Sequence, residues 1–214
     1  MPRRLKSREK KFKDLLSYER KLKRKGCDLI IGVDEAGRGP LAGPVVAAAV
    51  ALKTTRFENR IDDSKKLNFK SREKAFREII KKSIFGVSVV SEKTIDRINI
   101  LEATRKAMCA AVVSLTAKIK DIAALNIHVI VDGNMSLDLA WPSTDIVKGD
   151  AKSKSIASAS ILAKVTRDRI MLGYDSVYPE YGFARHKGYP TAEHRNILKK
   201  IGLSAIHRKS FRCV

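Results

Sequence analysis

Residues 29–40 read Leu29-Ile30-Ile31-Gly32-Val33-Asp34-Glu35-Ala36-Gly37-Arg38-Gly39-Pro40. The apolar run that opens this stretch is short and rich in branched side chains, as a buried strand is. It ends in two adjacent carboxylates and continues into a glycine-rich turn. Because the ligands of α/β proteins bind beyond the ends of the strands, Asp34 and Glu35 are expected to lie where binding or chemistry takes place.

Strands and helices alternate along the rest of the chain. Strands are predicted at residues 44–52, 84–90 and 127–131, with a short fifth strand at 145–147. Helices are predicted from a Ser91 cap, from a start near Ser71, and over residues 155–172. One face of the helix after Ser91 carries Ile98, Leu101, Met108, Val112, Leu115 and Ile119. The alternation predicts one α/β domain over residues 28–214, since no repeat or low-complexity linker divides the chain.

Residues 1–27 precede this domain and are predicted to form a basic helical extension. Between residues 5 and 25, apolar side chains recur among many Lys and Arg, and Gly26 can end the helix. The apolar positions are Leu5, Phe12, Leu15, Leu16 and Leu22. Two interpretations remain open with equal weight: a helix packed on the domain, or an arm that binds nucleic acid.

The charge of the chain points to a polyanionic partner. There are 44 Lys and Arg against 23 Asp and Glu, a formal net charge of +21, and the excess is concentrated at both ends. Neutralising phosphates releases counterions, so nucleic acid is the first candidate, with an anionic membrane surface as the competitor. Three cysteines without a CxxC pair favour neither a disulfide framework nor a cysteine zinc site. No run is apolar enough to span a membrane, and a cytoplasmic protein is expected.

Four carboxylates follow predicted strands: Asp34, Glu35, Asp132 and Asp150. If the strands before Asp34 and Asp132 are neighbours, these acids meet at one edge of the sheet. Oxygen-only clusters suit Mg²⁺ or Mn²⁺, and a carboxylate cluster repels itself unless cations bind. Each acid alone is better explained as a turn former or helix cap, and only the four together point to a site. The glycine-rich turn lacks the spacings of a nucleotide P-loop or a dinucleotide site.

Several ordered blocks of the chain carry a family resemblance. They are residues 32–40, Asp63-Ser64-Lys65-Lys66-Leu67, Val131-Asp132-Gly133-Asn134, Lys148-Gly149-Asp150, residues 156–168, Tyr181-Gly182-Phe183, residues 186–191 and His207-Arg208-Lys209-Ser210-Phe211. In this order they resemble the motifs of type 2 ribonuclease H, ribonuclease HII. The resemblance extends from residue 28 to residue 214. The related ribonuclease HIII, which carries a larger additional N-terminal domain, is the second choice.

The resemblance implies a fold and an activity. The fold would be α/β and ribonuclease H-like: a mixed sheet flanked by helices, with a helical C-terminal region. The family cleaves the RNA strand of RNA–DNA hybrids and nicks duplex DNA at a single embedded ribonucleotide. Two divalent ions, Mg²⁺ or Mn²⁺, would activate water in an in-line displacement. A monomer acting on these nucleic acids, and not on a membrane, is expected.

The resemblance also assigns residues. Asp34, Glu35, Asp132 and Asp150 match the four metal-site acids, which makes them the expected catalytic residues. Gly37, Arg38 and Gly39 match the motif that reads the 2′-hydroxyl, and Tyr189 matches the aromatic residue against the sugar; filling the core is the alternative for this tyrosine. Ser64, Lys65 and Lys66 are expected to bind substrate, the lysines holding phosphates, with a solvated turn as the alternative.

Two further expectations concern residues to which the resemblance assigns no role. Asp168 is interpreted as a structural residue that forms ion pairs on a helix. His186, His194 and His207 are scattered along the sequence and show no zinc spacing. A non-catalytic, basic nucleic-acid-binding protein is the rival hypothesis that the charge alone allows. The acids discriminate between the two, because a pure binder gains nothing from carboxylates that face phosphate.

Overall fold

A computed structural model of the protein describes residues 14–212. Its strands are β1 (Leu29–Ala36), β2 (Val45–Leu52), β3 (Ser83–Val90), β4 (Ile127–Asp132) and β5 (Ser143–Ile146). Its helices are α1 (Ser17–Arg24), α2 (Phe69–Lys82), α3 (Glu92–Thr116), α4 (Lys154–Val177), α5 (Phe183–His186) and α6 (Ala192–Ile201). Within this part of the chain, no helix is long and apolar enough to cross a membrane.

The five strands form one mixed sheet in the order β3-β2-β1-β4-β5. β1 lies at its centre, antiparallel to β2 and parallel to β4, with Val33 opposite Val131. α3 packs its buried face on one side of the sheet, and α2 and α4 cover the other side. The predicted α/β class, with a mixed sheet flanked by helices, is therefore confirmed.

The close approach of α4 to β1 depends on a glycine. A Cβ built on Gly32 would stand 2.3 Å from the backbone carbon of Ser155, at the start of α4. Only a residue without a side chain allows this distance. The contact sets the N-terminal turn of α4 directly on the strand that ends in Asp34.

The boundaries of several predicted elements need correction. α2 begins at Phe69, two residues before Ser71, because the Asn68 side chain accepts a hydrogen bond from the Ser71 amide and caps the helix. α4 runs from Lys154 to Val177, five residues past the predicted end. β5 covers Ser143–Ile146 rather than 145–147. The apolar face of α3 is interrupted: Asn99 has φ 65°, the helix kinks there, and Leu101 is exposed.

α1 packs on the domain. Its Tyr18 and Leu22 contact a buried cluster that includes Ile30 of β1 and Ile156 of α4. Glu19 is buried, and its Oε1 accepts hydrogen bonds from the Ser155 amide at 2.9 Å and from the Ser155 and Ser153 hydroxyls at 2.8 and 2.7 Å. A carboxylate in this position satisfies free amides and complements the helix dipole. For residues 17–24 the packed interpretation is confirmed, whereas Leu5 and Phe12 lie outside the described residues.

The C-terminal region is helical, as predicted. α5, α6 and the segment after them enclose a separate apolar cluster around Phe183, Tyr181 and Leu198. An isolated bridge joins Ala42 to His207, which brings the last residues against the glycine-rich turn after β1. This region therefore forms one wall beside the end of β1.

Candidate active site

The parallel pairing of β1 and β4 brings their terminal acids together. Because Val33 lies opposite Val131, Asp34 and Asp132 occupy the same edge of the sheet. Asp150 lies in the short turn Gly149–Ala151, and this turn is fixed to Asp132: the Asp132 Oδ1 accepts hydrogen bonds from the Gly149 and Asp150 amides at 2.6 and 3.4 Å. The four acids therefore lie at one edge of the sheet and border a common cavity.

Burial and neighbouring negative charges raise the pKa of three of these carboxyl groups. Burial, together with the charges of Glu35 and Asp132, raises the pKa of Asp34 well above its ordinary value. Burial also raises the pKa of Glu35; the charge of Asp132 adds to this, and Arg38, 3.6 Å away, opposes it. Burial and then the charge of Asp132 raise the pKa of Asp150. Each raised pKa means that ionising the carboxyl group costs more free energy here than in water, a cost that a bound cation would offset.

The donor chemistry of this edge fits a hard divalent cation. Among residues 14–212, no three His, Cys, Asp or Glu side chains converge tightly enough to form a closed metal site. The fit therefore rests on the kind of donors: four carboxylates, and no thiol or imidazole, border one cavity. Mg²⁺ and Mn²⁺ prefer such oxygen ligands and retain bound waters. Asp34, Glu35, Asp132 and Asp150 are the residues that would hold the metal.

The acids border a cavity of about 510 Å³. Its other walls are made by the glycine-rich turn, by the short helical turn Ser64–Lys66 before α2, by α4 and by the C-terminal region. These walls consist of Ala36, Gly37, Arg38, Gly39, Ser64, Lys65, Ser160, Lys164 and Tyr189. Ser64 is buried and lies 3.0 Å from the hydroxyl of Ser160, so it joins the loop before α2 to α4.

The structure separates the two neighbouring lysines. Lys65 lies at the cavity, where its charge opposes the rise of the Asp150 pKa. Lys66 instead lies 3.5 Å from Asp62 and 3.6 Å from Asp63, and it borders a different groove on the surface. The substrate-binding role of either lysine stays a prediction, and Lys65 is the one near the acids.

Two buried arginines shape the glycine-rich turn. The Arg208 guanidinium donates to the carbonyls of Gly37, Arg38 and Gly43 at 2.6 to 3.0 Å. The Arg167 guanidinium donates to Ala42, Pro44 and Lys187 at 3.0 Å. Gly37 has φ +102°, and a Cβ there would stand 2.2 Å from Arg167 Nε. The turn is therefore held from inside by hydrogen bonds to its own carbonyls.

Tyr189 borders the cavity and is 38% exposed, so it does not fill the core. A Cβ built on Gly39 would lie 4.0 Å from the tyrosine ring, which places the ring beside the glycine-rich turn. The Lys164 ammonium stands 5.6 Å from the ring centroid. Lys164 also lies 2.7 Å from Asp168, which pairs with Arg72 at 3.4 Å. The predicted ion-pairing role of Asp168 is confirmed.

The three histidines interpreted as scattered lie together in the C-terminal region. The His186 and His194 rings stack with centroids 4.2 Å apart, and the Nε2 atoms of His194 and His207 are 3.0 Å apart. These positions, which are scattered along the sequence, become neighbours because the turns around α5 and α6 fold them onto one another. Only tertiary structure brings them together, and no spacing in the sequence signals it.

Comparisons with known proteins match this chain to one family. The family model of Ribonuclease HII matches residues 31–214. Ribonuclease HII of Acetivibrio thermocellus is 52% identical over 202 residues, covering 94% of this chain and 76% of the relative. Ribonuclease HII of Acholeplasma laidlawii is 52% identical over 200 residues, covering 92% of this chain and 94% of the relative.

Solved structures show the same fold. The ribonuclease H2 of Pyrococcus horikoshii OT3 superimposes with a TM-score of 0.69 at 28% identity, covering 86% of this chain and 94% of its own. A ribonuclease HIII in complex with Mn²⁺, named Bst-RNase HIII, has a TM-score of 0.68 at 19% identity and covers 86% and 67%, which supports the fold alone.

The fold, together with these matches, defines a nuclease of the ribonuclease H class. Such enzymes are hydrolases that use a divalent metal ion. The chain belongs to the ribonuclease HII family, and its activity is the cleavage of the RNA strand in RNA–DNA hybrids. Family membership also decides against the rival hypothesis of a non-catalytic binder and against ribonuclease HIII.

Proposed function

We propose that this enzyme, besides cleaving the RNA strand of hybrids, nicks duplex DNA at single embedded ribonucleotides by two-metal-ion hydrolysis. One observation carries the proposal: the four acids, the glycine-rich turn and the Tyr189 ring border a single cavity. A phosphate at the acids then has its sugar within reach of the turn and the ring. Cleavage chemistry and sugar recognition are therefore arranged around one nucleotide, which is what a single-ribonucleotide substrate requires.

The acids supply the charge for catalysis. Asp34, Glu35, Asp132 and Asp150 would hold Mg²⁺ or Mn²⁺, which would activate water and stabilise the leaving oxygen of the phosphodiester. Asp132 also fixes the turn that carries Asp150, through its hydrogen bonds to two backbone amides. Arg38 lies 3.6 Å from Glu35 and keeps a positive charge at the rim of the acids. No side-chain nucleophile is needed.

Sugar recognition belongs to the glycine-rich turn and Tyr189. The 2′-hydroxyl both donates and accepts hydrogen bonds, and it lets a protein distinguish a ribonucleotide from a deoxyribonucleotide at a given position. Gly37 and Gly39 leave the backbone uncovered, so that a sugar can approach it closely. Arg38 and Lys65 would contact phosphates beside it, with Ser64 supporting the loop that carries Lys65. One chain supplies all of these residues, consistent with a monomer.

The test uses an end-labelled DNA duplex with one internal ribonucleotide, incubated with and without Mg²⁺ or Mn²⁺. We expect one metal-dependent cut beside the ribonucleotide and no cleavage of the matched all-DNA duplex. An RNA–DNA hybrid of the same sequence serves as the positive control. Cleavage of the hybrid with an intact single-ribonucleotide duplex would contradict the proposed substrate range, and equal cleavage without metal would contradict the mechanism.

A further inference from the structure

The buried histidines of the C-terminal region form a hydrogen-bonded chain that ends at Tyr189. His194 has no exposed surface and His207 is 2% exposed. The Ser204 amide lies 2.8 Å from His207 Nδ1, the two Nε2 atoms are 3.0 Å apart, and His194 Nδ1 lies 3.0 Å from the Tyr189 carbonyl. The chain therefore links the segment after α6 to the backbone of a residue at the cavity.

The partners at both ends fix where the protons are. An amide only donates, so His207 Nδ1 accepts from the Ser204 amide, the Ser204 hydroxyl at 2.8 Å donates to the same nitrogen, and the ring proton is on Nε2. A carbonyl only accepts, so His194 carries its proton on Nδ1 and accepts at Nε2. The two deductions are independent, and they agree on one direction for the central bond, from His207 to His194. Both rings must be neutral, because two protonated Nε2 atoms could not face each other.

The surroundings favour the neutral forms. Burial lowers the pKa of His194, and burial together with His194 lowers the pKa of His207 to about 4. His186 stacks on His194 and has its own partners: its Nδ1 accepts from the Gly188 amide at 3.2 Å, and its Nε2 faces the Tyr181 carbonyl at 2.9 Å. The stack thus holds the residue before Tyr189 as well.

The backbone of Tyr189 is consequently fixed at both its polar atoms. Its amide donates to the His186 carbonyl at 2.9 Å, and its carbonyl accepts from Thr191 at 2.8 Å as well as from His194. Gly188 presses against Ala42 so closely that a Cβ would stand 2.7 Å from the Ala42 oxygen. Tyr189 is 38% exposed, and the charged groups of Lys164 and Arg167 stand 5.6 and 5.7 Å from its ring centroid. The position of the ring therefore depends on these two contacts and on the fixed backbone of Tyr189.

We infer that His194 and His207 are positioning residues for sugar recognition: their directed hydrogen-bond chain fixes the Tyr189 backbone so that the ring meets the ribonucleotide. The inference deepens the proposed function and rests on it. A ring displaced by about 1 Å can reduce turnover by up to about 10²-fold when it orients the reacting nucleotide. Neither histidine contacts the acids, so their loss changes orientation and not metal binding.

Nitrogen-15 NMR of the histidine rings tests the geometry without activity. We expect His194 as the Nδ1–H tautomer, the less common form of a free imidazole, and His207 as the Nε2–H tautomer, both unchanged between pH 8 and pH 6. The reverse tautomers, or a charged ring in that range, would overturn the inference even if the protein proved inactive on the proposed substrate.

Single-turnover kinetics test the positioning. His194→Leu removes the donor to Tyr189 and is expected to lower the rate on the single-ribonucleotide duplex about 10-fold at saturating enzyme. His194→Asn keeps a nitrogen donor near the Nδ1 position and should restore most of that rate. His207→Leu, which leaves His194 in place, provides a second variant if the first folds poorly. His128→Leu is the matched control, because His128 lies on β4, takes no part in the hydrogen-bond chain, and contacts Thr144.

The double variant shows whether the effect of His194 on the cleavage rate depends on Tyr189. In a Tyr189→Ala background, His194→Leu should cost no further rate, since the residue it positions is gone. An unchanged rate in His194→Leu, or an equal loss with and without Tyr189, would overturn the inference. Wild-type protein on the same duplex is the reference for these rates. If the wild-type protein cleaves a hybrid but does not nick this duplex, the proposed substrate range is wrong. The NMR measurement then decides whether the hydrogen-bond chain exists.

Discussion

At the scale of the residue, Asp34 shows how catalysis and stability oppose each other. Its carboxylate is buried beside Glu35 and Asp132, and its pKa is raised by burial and by their charges. Asp34→Asn removes the charge and nearly preserves the shape. We expect turnover to fall by orders of magnitude while the melting temperature stays equal or rises, because a repulsion is relieved. Thermal melts without metal and single-turnover assays of the same preparation measure both.

Wild-type turnover of the Asp34→Asn variant would contradict its assignment as a metal ligand. Asp132→Asn provides a comparison, because turnover and stability are both expected to fall in this variant. It should also lose turnover, but it weakens the hydrogen bonds to Gly149 and Asp150, so its stability should fall. Hybrid binding should remain measurable in both variants.

Tyr189→Ala tests the role of the ring. If the ring stacks on the substrate, its removal should cost about 1–3 kcal/mol in the cleavage of a single embedded ribonucleotide. Tyr189 is 38% exposed, so the melting temperature should fall less than it does for truncation of the fully buried Phe183. Phe183→Ala is therefore the control for stability. A large drop in melting temperature with normal activity of the folded fraction would instead make Tyr189 a structural residue.

The sequence reveals some of these residues and conceals others. Asp34 and Asp132 could be placed because a strand that ends in an acid obeys a local rule about sheet edges. Arg208 could not, because arginine is rarely buried and its three carbonyl partners lie 165 to 171 residues away. The same holds for the histidine chain, whose members become neighbours only through the turns around α5 and α6.

At the scale of the element, the glycine-rich turn depends on its buried arginines. Lysine has one nitrogen where arginine has three, so Arg208→Lys cannot reach the carbonyls of Gly37, Arg38 and Gly43 together. Each unsatisfied buried carbonyl costs about 1–3 kcal/mol, and we expect a loss of unfolding free energy of about 3 kcal/mol. Urea denaturation of this variant, with the exposed Arg185→Lys as the control, measures it. Equal stability of the two variants would contradict the role of Arg208.

The histidine chain makes stability depend on pH with a defined sign. The pKa of His207 is about 4 in the folded protein, below the ordinary value of 6.5, because of burial and of His194. The unfolded chain therefore binds the proton first, so this stabilisation is complete above pH 6.5 and is lost as the pH falls toward 4. Asp34, with a raised pKa, contributes in the opposite direction.

Because those two contributions oppose each other, the measurement is a difference between variants. His207→Gln should show a shallower loss of unfolding free energy than wild-type protein between pH 7 and pH 5, with Asp34 present in both. Urea denaturation at several pH values measures the two slopes. Parallel slopes would show that His207 does not titrate on unfolding in that range.

Helix and strand limits illustrate where patterns stop being informative. The β1 and β2 strands were predictable because residues 29–33 and 45–52 are short apolar runs with branched side chains, bounded by turn residues, as buried strands are. The kink in α3 was not, because the left-handed backbone of Asn99 is stabilised by its own side chain, which accepts hydrogen bonds from the Leu101 and Glu102 amides. A heptad-like pattern continues through that site, so the pattern wrongly included Leu101.

At the scale of the whole molecule, the N-terminal extension has two parts that the sequence alone could not separate. The two interpretations were a packed helix and a nucleic-acid arm, and α1 takes the first through Glu19. Residues 1–13 carry seven Lys and Arg and one Glu, so they hold much of the excess charge of the extension. We propose that the domain in solution includes α1, and that, within the extension, the residues before α1 are the ones that contact phosphates.

Two truncations test this division. Removing residues 1–13 should leave the melting temperature unchanged and flatten the dependence of log affinity on log salt, because each lost phosphate contact removes about 0.9 from that slope. Removing residues 1–26 should flatten the slope to the same degree and also lower the melting temperature, because it exposes the cluster beneath Tyr18 and Leu22 and leaves the start of α4 without Glu19.

Glu19→Gln, which keeps α1, should lower stability and leave the salt slope intact. Single-turnover cleavage at saturating enzyme should survive in every case, since the four acids remain. A short truncation with an unaltered slope would remove residues 1–13 from the binding surface and assign the phosphate contacts to the domain itself.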